Sequence, residues 1–218
     1  MIRYSEQSID HEDISNVIKT LKSDLITTGP KILKFEKDLS NKVNSKYCVV
    51  FNSATSALHS ACLALGLKKN DWLWTSANSF VASANCGLYC GAKIDFIDIE
   101  LETYNLDLKK LEIKLHQAKK KKLLPKIVVP IVFAGQPYDR DSLIILAKKY
   151  KFKILEDASH GLGSKYKNKN VGSNKDIISV FSFHPVKMIT TGEGGSAHTS
   201  SQKYYNIMKS VSSHGISR

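Results

Sequence analysis

The chain has 218 residues, which is enough for one ample domain or for one domain with part of a second. Hydrophobic residues make up 42% of the sequence, and this share excludes a disordered chain. No apolar run reaches the roughly eighteen residues of a membrane-spanning helix. The N-terminal segment also lacks the apolar stretch of a signal peptide. We therefore expect a cytoplasmic protein with no membrane partner.

The formal net charge is +12, from 32 basic and 20 acidic residues. Such a charge is typical of a nucleic-acid-binding protein or of an enzyme with an anionic substrate. The densest basic run is Lys119–Lys122, and no aromatic residue is interleaved there for base stacking. We interpret this run as the solvated end of a helix, and we expect no nucleic-acid partner.

The four cysteines are Cys48, Cys62, Cys86 and Cys90, and none forms a CxxC pair. Cys86 and Cys90 are spaced to share a helix face, but no further ligands are spaced to complete a metal site. The sequence therefore predicts no metal centre and favours reduced thiols in a packed interior.

Short β-prone runs alternate with helix-like runs along the chain, which predicts an α/β fold with a mostly parallel sheet. The aliphatic run 127–132 is typical of a parallel strand buried on both faces. Residues 1–30 are less regular and are predicted to form an entry helix and a loop. The predicted strands are 47–51, 72–75, 94–97, 127–132, 152–155, 177–181 and 196–198, and the predicted helices are 54–65, 79–89, 106–121, 141–150 and 201–212.

The segment 52–57, Asn-Ser-Ala-Thr-Ser-Ala, follows a predicted strand and opens a predicted helix. Free backbone N–H groups at a helix start attract a phosphate, and the helix dipole adds to this attraction. Ser and Thr are also the preferred helix caps, so this segment alone leaves a structural role open.

The segment 154–160, Ile-Leu-Glu-Asp-Ala-Ser-His, is an apolar strand that ends in two carboxylates. Ligands of open α/β sheets gather at the carboxyl ends of the strands. A carboxylate there could hold a cationic ring nitrogen through a charge-assisted hydrogen bond, and a helix cap is the alternative.

The segment 181–195 carries a lysine between two apolar strands, with a proline and three glycines beside it. Glycines allow tight turns and close approach of the backbone to a ligand. A lysine amine held near a cofactor can form a Schiff base, and an exposed loop lysine does not explain the whole segment.

These segments together resemble a known family. The string SFHPVKMITTGEGG closely resembles the lysine segment of the DegT-type aminotransferases, which are fold-type I enzymes that use pyridoxal 5′-phosphate (PLP) to aminate keto sugars on nucleotide carriers. EDASHGLG resembles the family's cofactor-ring segment, NSATSAL its phosphate loop and TTGP its N-terminal substrate loop. The resemblance covers essentially all 218 residues and implies the three-layer sandwich of a fold-type I large domain.

The resemblance implies a role for each matching residue. Lys187 is the Schiff-base lysine and proton shuttle, and Asp157 is the partner of the pyridine nitrogen. Phe80 stacks on the cofactor ring, although a core phenylalanine at a helix start is the alternative. His160 occupies a position where the family usually has glutamine, near the phenolic oxygen of the cofactor. The implied phosphate ligands are Ala54, Thr55 and Ser182, and the residues implied to face substrate are Thr28 and Glu193.

The combination of FNSATSAL and SFHPVKMITTGEGG most resembles the pseudaminic-acid-pathway branch of the family. That branch aminates C4 of a UDP-linked 4-keto-6-deoxy sugar. The resemblance implies glutamate as the amino donor and a homodimer as the assembly.

Family members are substantially longer than this chain. We expect residues 1–30 to form the N-terminal helix and substrate loop and residues 31–218 to form the PLP-binding large domain, with the small C-terminal domain absent. The alternative is a truncated, inactive remnant, or a regulatory or dimerisation module of the same fold.

Overall fold

The computed structural model of the chain describes residues 5–216, which form seven α-helices and nine β-strands. The helices are α1 (His11–Leu21), α2 (Pro30–Val43), α3 (Ala54–Ala64), α4 (Ala82–Tyr89), α5 (Leu108–Lys121), α6 (Arg140–Tyr150) and α7 (Gln202–Val211). The strands are β1 (Tyr47–Phe51), β2 (Trp72–Ser76), β3 (Lys93–Ile97), β4 (Ile127–Val129), β5 (Lys153–Asp157), β6 (Lys165–Tyr166), β7 (Lys169–Asn170), β8 (Ile177–Ser182) and β9 (Gly195–Thr199).

Seven of the strands form one sheet in the order β1-β9-β8-β5-β4-β2-β3. The pairs from β8 through β5, β4 and β2 to β3 are all parallel. Strand β9 pairs antiparallel with both β1 and β8, so it alone runs against the other six. The predicted α/β class with a mostly parallel sheet is confirmed.

Helices cover both faces of the sheet, so the domain has three layers, as predicted. Helices α2, α5 and α6 pack on one face through side chains such as Leu39, Leu111 and Leu143. Helices α3, α4 and α7 pack on the other face. Strand residues alternate between the two cores, because successive side chains of a strand point to opposite faces.

Some predicted ends of strands and helices differ from the structure, and in each case the backbone hydrogen bonds of particular residues explain the difference. Strand β4 ends at Val129 because Pro130 has no N–H to donate to a neighbouring strand. Strand β5 extends beyond its predicted end to Asp157, whose N–H donates to the Pro130 carbonyl at 3.0 Å. Helix α4 begins at Ala82 rather than at residue 79, because residues 80–83 form a tighter turn in which the Ser83 N–H donates to the Phe80 carbonyl.

Helix α2 and the small β6–β7 hairpin were not predicted. The buried side chains of α2 are Glu36, Leu39 and Val43, and a buried glutamate is not part of an apolar periodicity. Glu36 is tolerated because Lys209 donates to both of its carboxylate oxygens, at 2.9 and 3.0 Å.

The basic run Lys119–Lys122 lies at the exposed C-terminal end of α5, as the sequence predicted. Cations are favourable there because the helix dipole places partial negative charge at that end. Among residues 5–216, no helix combines the length and apolar character needed to cross a bilayer.

His198 on β9 is a fully buried histidine held by hydroxyl groups. The Ser45 hydroxyl lies 2.9 Å from Nδ1 and the Ser196 hydroxyl lies 2.9 Å from Nε2. The Phe181 ring packs against the imidazole edge to face, with the centroids 5.2 Å apart. Burial lowers the pKa of His198 from 6.5 to about 3, because the cationic form would lose its hydration.

We predict that His198 makes the fold acid-sensitive. Because the pKa of His198 is lower in the folded state, His198 is protonated below pH 6.5 in the unfolded chain. In the folded chain it is protonated only when the pH falls to about 3. Titration of His198 therefore leaves the free energy of unfolding unchanged above pH 6.5. Below pH 6.5 it lowers this free energy by up to about 1.4 kcal/mol per pH unit. The variant His198→Gln should show a shallower loss of unfolding free energy between pH 6.5 and 4.5 in urea titrations.

A matched control is His116→Gln, since the side chain of His116 is exposed on α5. That variant should keep the pH dependence of the parent protein. Equal slopes for the parent protein and His198→Gln would contradict the assignment to His198.

Candidate active site

A cavity of about 440 Å³ opens at one edge of the sheet. Strands β1, β2, β5 and β8 end at this edge, and the antiparallel β9 begins there. The segments that follow or precede these strand ends therefore converge on one space, as expected for the carboxyl edge of an α/β sheet.

The cavity brings together eight of the nine residues predicted from the sequence. They are Ala54, Thr55, Phe80, Asp157, His160, Ser182, Lys187 and Glu193. Thr28 is not among the lining residues, so its predicted contact with substrate stays a prediction. Thr28 has a φ of 50°, a left-handed conformation that is uncommon for a threonine.

The two carboxylates that end β5 point to opposite faces of the sheet. Glu156, which is 1% exposed, accepts hydrogen bonds from Tyr138 at 2.9 Å and Ser179 at 2.6 Å and forms a 3.2 Å ion pair with the buried Arg140. The charge of Glu156 is therefore compensated on the face away from the cavity. The alternation of strand side chains places Asp157 on the cavity face.

Asp157 is a buried carboxylate, 4% exposed, that is held by hydroxyl and amide donors. Its Oδ2 accepts from the Ser83 hydroxyl at 2.6 Å, and its Oδ1 accepts from the Ser159 hydroxyl at 2.6 Å and the Ser159 N–H at 3.1 Å. Within residues 5–216, no lysine, arginine or histidine forms an ion pair with it. A buried anion without a cation is costly, so Asp157 is suited to a cationic ligand group.

Lys187 lies in the loop between β8 and β9. Phe183, which is buried, fixes this loop: its N–H donates to the Gly194 carbonyl at 2.9 Å, and its carbonyl accepts from the Thr191 N–H at 3.0 Å. The Phe183 ring also packs edge to face on Phe35 of α2, with the centroids 5.3 Å apart. The loop therefore presents Lys187 from a fixed base.

Lys187 and His160 are in direct contact, with Nζ 2.8 Å from Nε2. Partial burial lowers the pKa of Lys187, and the nearby Asp157 partly offsets that change. Burial also lowers the pKa of His160, as does the charge of Lys187, while Asp157 acts in the opposite direction. Both shifts favour uncharged nitrogen atoms, and an uncharged amine is the nucleophilic form of lysine.

The N-terminus of α3 also lines the cavity. Ser53 is the N-cap, and its hydroxyl accepts from the Ser56 N–H at 3.2 Å. The first N–H groups of a helix have no carbonyl partner within the helix. The N–H groups of Ala54 and Thr55 are therefore available at the cavity, where the helix dipole favours an anion.

Several lining residues were not identified from the sequence. Ser159 and His184 are the informative ones, and Ser83, which is not among the lining residues, holds Asp157 together with Ser159. Ser159 could have been found, since a serine two residues after an aspartate commonly bonds to its carboxylate. Phe80 is 75% exposed, which is inconsistent with the alternative of a core phenylalanine.

Comparison with known proteins assigns the chain to a family. The profile of the DegT/DnrJ/EryC1/StrS aminotransferase family matches residues 7–218. The chain belongs to this family. The predicted resemblance is therefore confirmed, and with it the fold of the PLP-dependent fold-type I aminotransferases.

Two relatives illustrate the similarity. The chain is 45% identical over 216 residues to the UDP-4-amino-4,6-dideoxy-N-acetyl-beta-L-altrosamine transaminase of Campylobacter jejuni subsp. jejuni serotype O:23/36 (strain 81-176), covering 99% of this chain and 56% of that protein. The structure of this chain matches that of Helicobacter pylori PseC, an aminotransferase involved in the biosynthesis of pseudoaminic acid. The TM-score is 0.88 and the identity 36%, and the match covers 99% of this chain and 57% of PseC.

A third structure is informative about the cofactor. The PLP form of the putative sugar aminotransferase Spr1654 from Streptococcus pneumoniae matches with a TM-score of 0.87 and 32% identity, over 98% of this chain and 58% of that one. The chain thus spans little more than half the length of the proteins it matches.

The residues of the cavity fit PLP. A protonated ring nitrogen needs a carboxylate, an aldehyde needs an amine, and a phosphate group needs N–H donors. Asp157, Lys187 and the N-terminus of α3 offer these three groups around one cavity.

We predict that Gly195 is required for the position of the α3 N-terminus. A Cβ added at Gly195 would lie 2.4 Å from the Ala54 nitrogen and 2.5 Å from the Ser53 carbonyl carbon, and both are backbone atoms. Gly195→Ala should therefore displace the start of α3, lower the unfolding free energy by about 1–3 kcal/mol and weaken PLP binding about tenfold. Urea titration and cofactor titration measure the two effects.

The control is Gly66→Ala, where an added Cβ has no atom within 4 Å but φ is +78°. This variant should lose about 1–2 kcal/mol through backbone strain and keep its affinity for PLP. Unchanged PLP affinity in Gly195→Ala would show that the start of α3 does not take part in binding.

Proposed function

We propose that this chain forms the cofactor-binding part of a PLP-dependent aminotransferase that acts on a nucleotide sugar. The acceptor we propose is C4 of a UDP-linked 4-keto-6-deoxy-N-acetylhexosamine, in the biosynthesis of a surface glycan such as one containing pseudaminic acid. The amino donor we propose is glutamate.

One observation carries the proposal: a buried carboxylate and a partly buried amine line the same cavity as a helix N-terminus. Asp157 has no cation of its own among residues 5–216, whereas the neighbouring Glu156 is paired with Arg140. The cavity therefore offers an acceptor for a cationic group at Asp157 and donors for an anionic group at α3. PLP carries both kinds of charge.

When bound, PLP supplies an aldehyde that reacts with amines and a ring that accepts electrons from the carbon next to the substrate nitrogen. Asp157 would keep the ring nitrogen protonated through a charge-assisted hydrogen bond, and Ser83 and Ser159 hold its carboxylate in place. Lys187 would attach the cofactor through Nζ. Once released by the amino donor, the same amine would carry a proton between Cα of the donor and C4′ of the cofactor.

Four further residues have proposed roles, two at the cofactor and two toward the substrate. The exposed ring of Phe80 stacks on the cofactor ring, and Ser182, at the end of β8, adds a hydroxyl to the phosphate donors of α3. Glu193 lines the cavity at the other end of the lysine loop, and its proposed role is to face substrate. Thr28 remains a proposed substrate contact on the strength of the TTGP resemblance alone.

The proposed substrate follows from similarity and charge. The Campylobacter jejuni relative is a UDP-amino-sugar transaminase by name, and PseC of Helicobacter pylori is named for the pseudoaminic acid pathway. The diphosphate of a nucleotide sugar also suits a chain with a net charge of +12.

We also propose a cytoplasmic homodimer. Large apolar side chains on and before α4 are exposed, including Val81, Leu88 and Tyr89. Exposed apolar side chains on one short helix suit an interface. The four cysteines are all free thiols, which suits a reducing compartment.

The decisive test is covalent capture of the cofactor. The protein is mixed with PLP, the absorbance band of lysine-bound cofactor is recorded, and the adduct is reduced with borohydride and located by peptide mass spectrometry. We expect the adduct on Lys187 and expect Lys187→Ala to abolish both the band and the adduct. Lys203→Ala, at an exposed position on α7, is the matched control and should behave as the parent protein.

Asp157→Asn tests the second half of the assignment. The amide cannot hold the ring nitrogen protonated, so we expect weaker PLP binding and loss of amino transfer by a factor of about 100 or more. Transfer from glutamate to the 4-keto sugar is followed by mass spectrometry, with the Campylobacter jejuni relative as the positive control. A PLP adduct without transfer would favour an inactive remnant, and equal adducts in the parent protein and Lys187→Ala would refute the proposal.

A further inference from the structure

His160 is held between two nitrogen atoms. Its Nδ1 lies 3.3 Å from the backbone nitrogen of Ala134, and its Nε2 lies 2.8 Å from Nζ of Lys187. A backbone N–H can only donate a hydrogen bond, so Nδ1 must accept and cannot carry a proton itself. In a neutral imidazole the proton then lies on Nε2, where it points to Lys187.

The donor at Ala134 is fixed by the backbone around it. Residues 133–135 form a 3₁₀ turn in which Ala134 has a φ of 49° and Gly135 a φ of 85°. The Gln136 N–H donates to the Phe133 carbonyl at 2.8 Å, and the Ser164 hydroxyl donates to the Gly135 carbonyl at 2.7 Å. A left-handed backbone conformation costs free energy at an alanine. The turn holds Ala134 in this conformation, in which its N–H points to His160.

The contact between His160 and Lys187 then has a defined direction. An ammonium group has three donors and no acceptor. If Lys187 were protonated, one of its N–H groups would point at the N–H of Nε2, and no hydrogen bond could form. An uncharged amine has a lone pair that accepts the Nε2–H instead. The 2.8 Å contact is therefore compatible with a neutral amine when Ala134 occupies Nδ1.

We propose that the Ala134 N–H fixes His160 in the Nε2–H tautomer, and that His160 thereby holds the Lys187 amine in its uncharged, nucleophilic form. His160 is a positioning residue in this role, since it acts through Lys187. The use of this device in amino transfer rests on the proposed function, but the hydrogen bonds themselves belong to the protein without cofactor.

The surroundings of the Lys187 amine also affect its charge state. Asp157 favours the charged form of Lys187, and partial burial disfavours it. His184 and Glu193 are the remaining titratable side chains that line the cavity. The directional hydrogen bond from His160 adds to burial in favouring the uncharged amine.

The first test reads the tautomer directly. We label the histidines with ¹⁵N, assign His160 by comparison with His160→Gln, and record the ring nitrogen shifts at pH 7.5 without cofactor. We expect Nδ1 to be unprotonated and Nε2 to be protonated. A proton on Nδ1, alone or together with one on Nε2, would overturn the proposal whether or not the protein binds PLP.

The second test measures the amine. The rate at which acetic anhydride modifies Lys187 is followed against pH by peptide mass spectrometry in the parent protein, His160→Gln and His160→Leu. A glutamine amide can accept from Ala134 and donate to Lys187, so His160→Gln should keep the parent rate. Leucine keeps the burial but removes the donor, so at pH 7 we expect a rate about three- to tenfold lower and an apparent pKa that is higher.

Equal rates in His160→Leu and the parent protein would show that burial alone sets the state of the amine, and the proposal would fail. Lys203 in the same digests is the internal control and should react equally in all three proteins. If His160→Leu does not fold, the ¹⁵N measurement on the parent protein still tests the proposed tautomer of His160. Loss of PLP binding with both results as expected would count against the proposed function alone.

Discussion

The constraint on which the site depends is the buried negative charge at the end of β5. Two adjacent carboxylates end this strand, and the alternation of strand side chains sends them to opposite faces. Arg140 neutralises Glu156 on one face, whereas Asp157 on the other face accepts from two hydroxyl groups and one backbone N–H. One face therefore closes as part of the core, while the other keeps a buried carboxylate that suits a cationic ligand group.

The remaining parts of the site are arranged around this charge by the direction of the strands. Because β1, β2, β5 and β8 are parallel, their following segments meet at a single edge of the sheet. Each segment contributes one kind of group: helix N–H donors, an aromatic ring, a carboxylate with its histidine, and an amine. The chemistry is therefore distributed over residues far apart in the chain, and the sheet supplies their common geometry.

Most of the fold was predictable, because the aliphatic strands and the apolar helix faces have clear periods in the sequence. Helix α2 was missed because one of its few buried positions is Glu36, whose partner Lys209 lies at the far end of the chain. The pairing of Ser83 with Asp157 was equally hidden, since it joins residues 74 positions apart. The motif residues could be identified, but contacts between distant segments depend on the packing of the whole sheet.

The reversed direction of β9 has a consequence for the lysine loop. A parallel strand next to β8 would need a crossover that carries the chain to the opposite edge of the sheet, usually through a helix. An antiparallel β9 lets residues 183–194 leave and re-enter the sheet at the same edge. The loop between Phe183 and Gly194 can thus be short and closed at its base, which brings the amine of Lys187 to the same edge as Asp157 without an intervening helix.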